Sequence, residues 1–456
     1  MATLNKNRQS STFTLFVIAA GLLLVACAGQ AQAAMAQDAG AASITLTLDA
    51  AAQLALKQNL GLQTANIETA IRQQDRALVR SELLPQAELD VNDAVIRYNT
   101  KAQLGIQPAI IPHEVGPYQV MHMGPDFSTP VFDLTLIRRY QESGHRLLAA
   151  QADEQTVREE TVMLAVSEYM AHLRALASIS AAQSRVNLAQ GLAAQAHDLL
   201  NDSVATRIDV SRADVRLSEE QQRLIDAQTD AGTALNALKR ILNIPDSEQI
   251  DFADQQDFFS TPSLDASDPL ASALKQRPEF DSLSQSLDAA RLAHKAAVDR
   301  SLPKFTFEGG WNEQGETFDR STPGYDYRVD VEIPIFTGGR LRAERKRTAL
   351  AEQQAETHLN EERNQVTEQV RDGQIELDAA LHQVELGRQE VKLANEQVAL
   401  SQGRFQAGVT DNIEVTAAQD SLAHANDTEI DALFRYNVAR AQLARAMGIA
   451  AQTYSH

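Results

Sequence analysis

The stretch Val204–Val210, with the sequence VATRIDV, recurs 205 residues later as VTDNIEV at Val409–Val415. An offset of 204 likewise aligns Pro130–Phe132 with Pro334–Phe336. Internal similarity at a nearly constant offset indicates two copies of one structural unit, with differences in length confined to loops. We therefore expect the chain to run twice through the same order of elements.

This repeat sets the domain boundaries. We expect a first repeat over residues 44–250, a linker over residues 251–267 and a second repeat over residues 268–450. Length alone would suggest about three domains, but a twofold repeat of elongated elements favours one continuous body.

Composition excludes several classes of function. The chain has 456 residues, 61 acidic against 41 basic side chains and a net charge of −20, so no basic stripe is available to bind nucleic acid. A single cysteine precludes an internal disulfide bond. The sequence contains none of the motifs of phosphate-binding loops, zinc peptidases or serine hydrolases. We therefore expect neither an enzyme nor a cofactor.

The N-terminus is typical of an export signal, because the short apolar run Phe13–Ala26 follows basic residues. We expect a signal peptide over residues 1–33, with Ala31–Ala33 as an ordinary cleavage site. A second cleavage site is possible at Leu24–Cys27, which fits a lipoprotein box. In that case Cys27 would carry the lipid.

Four segments have the alternation of apolar and polar residues that predicts β-strands. It is clearest over Tyr325–Phe336, where the length suits the roughly 9–11 residues of a tilted membrane strand. Phe305–Trp311 and Ala87–Val95 alternate in the same way, and a fourth, weaker strand is expected between about Tyr118 and Phe132. The alternative is a half-buried sheet in a soluble protein.

Four membrane strands cannot close into a barrel, and an open edge in lipid would leave backbone groups unpaired. Three copies would supply twelve strands, which is enough for a barrel around an open lumen. The strands therefore predict a homotrimer.

One possible metal site lies in the Pro- and Gly-rich stretch Asn99–Ser128, where Met121, His122 and Met123 follow His113. Thioether and imidazole groups would suit a soft metal such as Cu(I). However, this stretch is predicted to be the extracellular loop between the first two strands. We expect a surface loop without a metal, and metal contact is the alternative.

Six helical segments separate the strands. They are expected at Leu48–Leu83, Leu134–Leu200, Ile208–Leu242, Asp268–Ser301, Gly338–Phe405 and Ile413–Met447. At 1.5 Å per residue the two longest would each extend roughly 100 Å.

A heptad seam runs along both long helices. In the second copy it alternates large residues (Val370, Leu377, Val384, Val391, Val398, Phe405) with small ones (Gly373, Ala380, Gly387, Ala394, Ser401). In the first copy, the small positions are Ala175, Ala182, Ala189 and Ala196, and the large ones include Ile179, Val186 and Leu200. Alternating spacings of three and four predict closely packed helices.

Three sequence motifs, in their order along the chain, resemble those of the TolC-like outer membrane efflux proteins. They are Leu48–Asn59 (LDAAAQLALKQN), Pro334–Gly339 (PIFTGG) and Gly408–Val415 (GVTDNIEV). The resemblance covers about residues 44–450. It implies a mainly helical fold with membrane strands, in which a trimer forms a 12-strand β-barrel continued by an α-helical barrel.

The resemblance also implies a location and partners. Such a protein lies in the outer membrane, in contact with its lipid, and extends into the periplasm. It is the exit duct of an efflux or secretion system, and it works with a periplasmic adaptor protein and an inner-membrane pump. In this family the pump selects the cargo.

Four residues are implied at the periplasmic entrance of that duct. Asp209 and Glu414 occupy the acidic position after the turn of each helical hairpin, while Phe405 and Thr410 stand where a family member has a tyrosine and an arginine. A second acidic position of that member is Ala417 here. The resemblance therefore implies a weaker charge-based latch. Alternatively, Asp209 and Glu414 only stabilise the positive ends of their helices.

Two other classes of protein fit the sequence less well. A periplasmic adaptor would contain one helical hairpin within β-rich modules, whereas this chain predicts two hairpins. A structural periplasmic coiled coil would not need the alternation at Tyr325–Phe336.

Overall fold

A computed structural model describes residues 44–455, apart from 101, 103–104, 106–109, 111, 203–205, 255–267, 408 and 410–411. The signal peptide with Cys27, most of the linker and Thr410 lie outside the described residues. The chain divides into a small unit, Met1–Ile44 with Ser247–Asp251, and a large unit, Thr45–Asp246 with Phe252–His456. Of the small unit, the structure describes Ile44 and Ser247–Asp251.

The described elements follow the same order in both copies. The first copy contains β1 (Ile44–Leu46), α1 (Leu48–Gln58), α2 (Leu60–Ser81), β2 (Gln86–Asn99), β3 (Glu114–Phe132), α3 (Leu134–Asn201) and α4 (Arg207–Leu242). The second contains β4 (Ile250–Phe252), α5 (Pro269–Gln276), α6 (Pro278–Asp299), β5 (Lys304–Gly315), a 3-10 turn (Phe318–Arg320), β6 (Ser321–Glu332), α7 (Arg340–Gln406), α8 (Asn412–Ala446) and α9 (Ala450–Tyr454). The prediction of a mainly helical fold with antiparallel strands is confirmed. Within the described residues, no helix combines the length and the apolar character needed to span a membrane.

The first helical segment of each copy is broken, so the prediction of one continuous helix was wrong. Asn59 has an extended ψ of 127°, and its side chain caps α2 by accepting a hydrogen bond from the Leu62 N–H at 3.1 Å. In the second copy the break falls at Arg277, also with an extended ψ (124°), because the following Pro278 disfavours a helical conformation for the residue before it.

The four long strands form one antiparallel sheet in the order β2-β3-β5-β6. Two of its boundaries differ from prediction. β3 begins at Glu114, because it pairs with β2 as far as Asn99, so residues 114–128 are strand and not loop. β6 ends at Glu332, which pairs with the first residue of β5, Lys304. Ile333 and Ile335, predicted in the strand, therefore lie beyond the last paired residue.

The heptad seams are the main contact within each helical hairpin. In the first copy, Ala193 and Ala196 of α3 pack with Val210 and Ala213 of α4 in one buried cluster. In the second, a Cβ atom added to Gly387 of α7 would lie 3.3 Å from the Cα atom of Glu429 on α8. The small residues therefore let the two helices approach closely, as predicted.

Candidate functional site

One face of the four-stranded sheet is apolar and aromatic. Phe127, Phe307 and Tyr327 meet across β3, β5 and β6, with ring centroids 5.8 to 6.3 Å apart. Gly309 makes room for them, because a Cβ atom there would come within 2.6 Å of both the Phe127 and the Tyr327 rings. Val329, farther along β6 on this face, is 62% exposed. This face presents apolar side chains outward and suits contact with lipid.

The opposite face is charged. Arg328 on β6 forms ion pairs with Glu308 on β5 and with Asp330, whose carboxylate lies 3.0 Å away. Successive strand residues point to opposite faces, so the predicted alternation places these charges behind the aromatic cluster. The arrangement suits a wall with lipid on one side and water on the other.

The sheet has two open edges. Within the described residues, β2 pairs only with β3 and β6 pairs only with β5. Each outer strand therefore presents a row of backbone donors and acceptors that another strand could complete.

The residues of the candidate soft-metal site lie on both faces of this sheet. Met121, His122 and Met123 are consecutive residues of β3, so the imidazole points to the face opposite to the two thioethers. Among the described residues, no group of His, Cys, Asp or Glu side chains could hold a metal ion. Because the side chains of Met121 and Met123 lie on the face opposite to that of His122, the three cannot bind one metal ion together.

At the end of the first hairpin, Asp209 occupies the third position of α4 and completes a capping box with Thr206. Its carboxylate accepts hydrogen bonds from the Thr206 N–H at 3.0 Å and from the Thr206 hydroxyl at 2.6 Å. These bonds, with a smaller contribution from Arg212, lower the pKa of Asp209 below its usual value. The carboxylate is therefore ionised at neutral pH, where it stabilises the start of α4.

At the end of the second hairpin, Glu414 has a different partner. Arg404, near the end of α7, donates to its carboxylate at 2.8 Å and so joins the two helices of the hairpin across the turn. The residue 205 positions before Arg404 is Leu199, so the first copy has no equivalent ion pair. Phe405 lies on the last turn of α7.

The two hairpins meet near these ends. A cavity of about 520 Å³ is lined by Asp209 and Arg212 of α4 and by Ile413, Ala417 and Asp420 of α8. Asp209 and Ala417, the position where the resemblance implied a second acid, therefore line the same cavity. The structure does not place Glu414 in the lining of this cavity.

A buried charge cluster deeper in the same contact was not predicted. Glu220 of α4 is 1% exposed and is surrounded by three arginines. Its carboxylate lies 2.9 Å from Arg216 Nη2, 2.7 Å from Arg223 Nη1 and 3.5 Å from Arg185 Nε on α3. The signal in the sequence was a glutamate seven residues after Ala213 of the seam, where a small or apolar residue is expected.

Two of these arginines continue the cluster to the second copy. Arg185 Nη1 lies 2.9 Å from the carboxylate of Asp427, and Arg216 also pairs with Asp420. Both acids are on α8. The charge cluster therefore holds α8 against the first hairpin, beside a cavity of about 640 Å³.

The comparisons with known proteins agree with this architecture. The family model for outer membrane efflux proteins matches residues 51–243 and 270–449. The pyoverdine export outer membrane protein OpmQ of Pseudomonas aeruginosa is 27% identical over 253 residues, which are 54% of this chain and 52% of OpmQ. The chain thus spans about half the length of that relative. The alkaline protease secretion protein AprF of the same organism is 22% identical over 411 residues, or 87% of this chain and 83% of AprF.

Solved structures show the same fold. The Campylobacter jejuni CmeC outer membrane channel superposes with a TM-score of 0.77 over 92% of this chain and 91% of that chain, at 17% sequence identity. At this identity the likeness concerns the fold alone.

Proposed function

We propose, since the chain belongs to the outer membrane efflux protein family, that it forms the exit duct of a tripartite export system. As a member of that family it is an outer membrane transport channel, and the adaptor and structural coiled-coil alternatives are set aside. The observation that carries the proposal is the four-stranded sheet, which is apolar on one face, charged on the other and open at both edges.

The open edges support a homotrimer. Three copies of the sheet would pair β6 of one copy with β2 of the next and give a 12-strand barrel with its charged face inward. The helical hairpins would then continue the wall into the periplasm. Crosslinking in isolated outer membranes should give a trimer, and the protein without crosslinker should migrate as a trimer until it is heated. The purified protein should also conduct ions in planar bilayers. A product no larger than a dimer, or no conductance, would contradict the proposal.

The sequence repeats remain part of this proposal. Two repeats, over residues 44–250 and 268–450 with a linker over 251–267, would each contribute two strands to the barrel and one long hairpin to the tunnel. The matching order of the helices and long strands in the two copies supports this division, whereas β4 (Ile250–Phe252), the counterpart of β1, lies across the boundary between the first repeat and the linker.

The partners proposed are a periplasmic adaptor protein and an inner-membrane pump. Apolar side chains at the hairpin ends support a docking surface there: Ile208, Val409 and Ile413 are 58%, 67% and 60% exposed. Such a cluster in water is typical of a protein contact. The pump would select the cargo, so the names of the relatives, pyoverdine export and protease secretion, do not identify the cargo of this chain.

We propose that Asp209, Glu414, Phe405 and Thr410 belong to the periplasmic entrance. Three copies of each carboxylate would concentrate negative potential in a narrow opening and favour cations. The cavity that Asp209 lines together with residues of the other hairpin supports its place at this end. Both carboxylates also occupy the third helical position, so a role in helix capping is compatible with this one.

We further propose that Cys27 carries the lipid of a mature lipoprotein. The probable outer membrane lipoprotein SilC of Salmonella typhimurium, 26% identical over 181 residues, supports this reading. Mass spectrometry of the mature N-terminus should find an acylated Cys27. A mature chain that starts at Ala34 would show that Cys27 is removed with the signal.

A further inference from the structure

The first two turns of α7 carry an unusual concentration of positive charge. Residues 340–347 contain five basic side chains and one acidic one, a net charge of +4 in a chain whose total is −20. Arg345 and Glu344 are bound to the neighbouring helix region, through Ser301 at 2.7 Å and Arg300 at 2.5 Å respectively. The remaining four basic residues, which we call the basic patch, are Arg340, Arg342, Lys346 and Arg347.

Helix geometry divides the basic patch into two pairs. Residues four and seven positions apart share a face of a helix, so Lys346 lies beside Arg342, and Arg347 lies beside Arg340. All four side chains are exposed, whereas Glu344 and Arg345 are half-buried. Among the described residues, no member of the basic patch forms an ion pair.

Helix stability does not account for these charges. The first turn of α7 contains no acidic residue, although the positive end of a helix favours acidic side chains and disfavours basic ones. The start of α3 differs, because Arg138 there pairs with Asp299 at 3.3 Å and Arg139 with Glu82 at 2.8 Å. Among the described residues at the start of the two long helices, α7 therefore keeps cations without an ion pair, and α3 does not.

The basic patch lies at the foot of the membrane sheet. β6 ends at Glu332, and Gly338 and Gly339, with φ angles of 59° and 85°, turn the chain into α7. Arg345 in the second turn of α7 contacts Ser301, which lies three residues before the start of β5 at Lys304. Between strand and helix, Ile335 and Phe336 are 95% and 90% exposed. Exposed apolar side chains next to cations are typical of a segment that lies at a lipid interface.

We propose that the basic patch binds the anionic headgroups of phospholipids at the periplasmic surface of the outer membrane. This inference rests on the membrane topology proposed above. Ile335 and Phe336 enter the boundary of the acyl chains, and the four cations pair with headgroup phosphates just outside it. The patch thereby fixes the depth of the sheet in the bilayer on the side of the second copy.

The test compares two sets of neutral substitutions on the same helix. The patch variant carries Arg340→Gln, Arg342→Gln, Lys346→Gln and Arg347→Gln. The control carries Arg363→Gln, Arg371→Gln and Lys392→Gln, which are exposed basic residues farther along α7. Each purified protein is reconstituted with phosphatidylglycerol and phosphatidylethanolamine and then released into detergent. The phospholipids that stay bound are counted by native mass spectrometry, and conductance is recorded in bilayers of the same lipids.

We expect the wild-type protein and the control to retain phosphatidylglycerol in preference to phosphatidylethanolamine, and the patch variant to lose about tenfold or more of that preference. Equal retention by all three proteins would overturn the proposal. So would a patch variant that no longer assembles while its monomers keep the lipid preference, because the cations would then contact a neighbouring copy. Displacement of the lipid by inorganic phosphate alone would also overturn it. A wild-type protein that neither assembles nor conducts would refute the proposed function instead.

Discussion

The two helical hairpins have nearly the same lengths but different interiors. α3 and α4 contain 68 and 36 residues, and α7 and α8 contain 67 and 35. The first hairpin buries Glu220 among three arginines, whereas the residue 205 positions later, Ala425, is fully buried without charge. Similar backbones therefore tolerate either an ionic or an apolar filling.

The ionic filling lies where the two copies touch. Burying charges costs solvation, and a well-packed apolar group would often be as stable. The arginines, however, reach Asp420 and Asp427 on α8 and so define which part of the second copy faces the first. We infer that the charge cluster specifies the position of α8, whereas the small-residue seam allows close packing.

The largest effect is expected from removing the buried charge. Glu220→Gln leaves Arg185 and Arg216 without their shared partner and should lower stability by about 3–4 kcal/mol. The matched control is Glu219→Gln, because Glu219 is exposed and lies 3.6 Å from Arg216; it should cost less than about 1 kcal/mol. Unfolding midpoints of the purified proteins in detergent measure both. Equal unfolding midpoints of the two variants would show that the buried Glu220 stabilises the first hairpin no more than the exposed Glu219 does.

A charge on the lipid face of β6 comes next. Val329→Arg should cost roughly 2–4 kcal/mol near the middle of the bilayer and reduce the yield of assembled protein. Asp330→Asn, on the opposite face, loses only an exposed ion pair with Arg328 and should assemble normally. The corresponding residue of the first copy is Pro125, so this test concerns the second copy alone. Equal yields of the two variants would show that Val329 does not face lipid.

The seam of the second hairpin should respond to added volume. Gly387→Leu places a branched side chain against the Glu429 backbone and should cost about 1–3 kcal/mol. Gly403→Leu is the control, because a Cβ atom there meets no described atom within 4 Å; better helix propensity should make it neutral or slightly stabilising. Thermal melts compare the two. The first copy has Ala182 at the position of Gly387. If Gly387→Leu melted like the control, the second seam would not need a small residue at this position.

The smallest effect on stability, but a distinct one on permeation, is expected at the entrance. Asp209→Asn combined with Glu414→Gln should lower cation selectivity and the block by trivalent cations in planar bilayers. Unchanged selectivity and block would assign both residues to helix capping. The two single variants measure the contribution of each carboxylate separately. Asp209 is bound to Thr206 at the start of its own helix, whereas Glu414 is bound to Arg404 of the preceding helix.

The pH dependence follows from the lowered pKa of Asp209. A carboxylate with a lowered folded-state pKa stabilises the fold above its unfolded value, and that contribution is lost as the pH falls through the folded value. The part of the cation selectivity that depends on Asp209 should therefore persist down to about pH 4. Its loss well above that pH would show that the pKa of Asp209 is raised in the conducting state, so that the capping box no longer sets its protonation.

Sequence patterns predicted the long elements because each has an amphipathic face repeated many times. α7 and β6 were found in this way, to within a few residues at their ends. The break at Asn59 was missed because its side chain also donates to the carbonyl of Ile241 at 2.9 Å, a partner 182 residues away. Glu220 was missed for a different reason, because arginines at i, i+3 and i, i+4 spacing around a glutamate also suit an exposed helix surface.

The open edges of the sheet have a genetic consequence. In the proposed trimer, a copy whose β6 edge is blocked would still join the ring through β2, and the barrel would then stay unclosed. When altered and normal copies are made in equal amounts and mix at random, only roughly one eighth of rings consist of three normal copies. Mutations that block one edge should therefore be dominant over the wild-type allele, whereas mutations that unfold the chain before it meets its neighbours should be recessive.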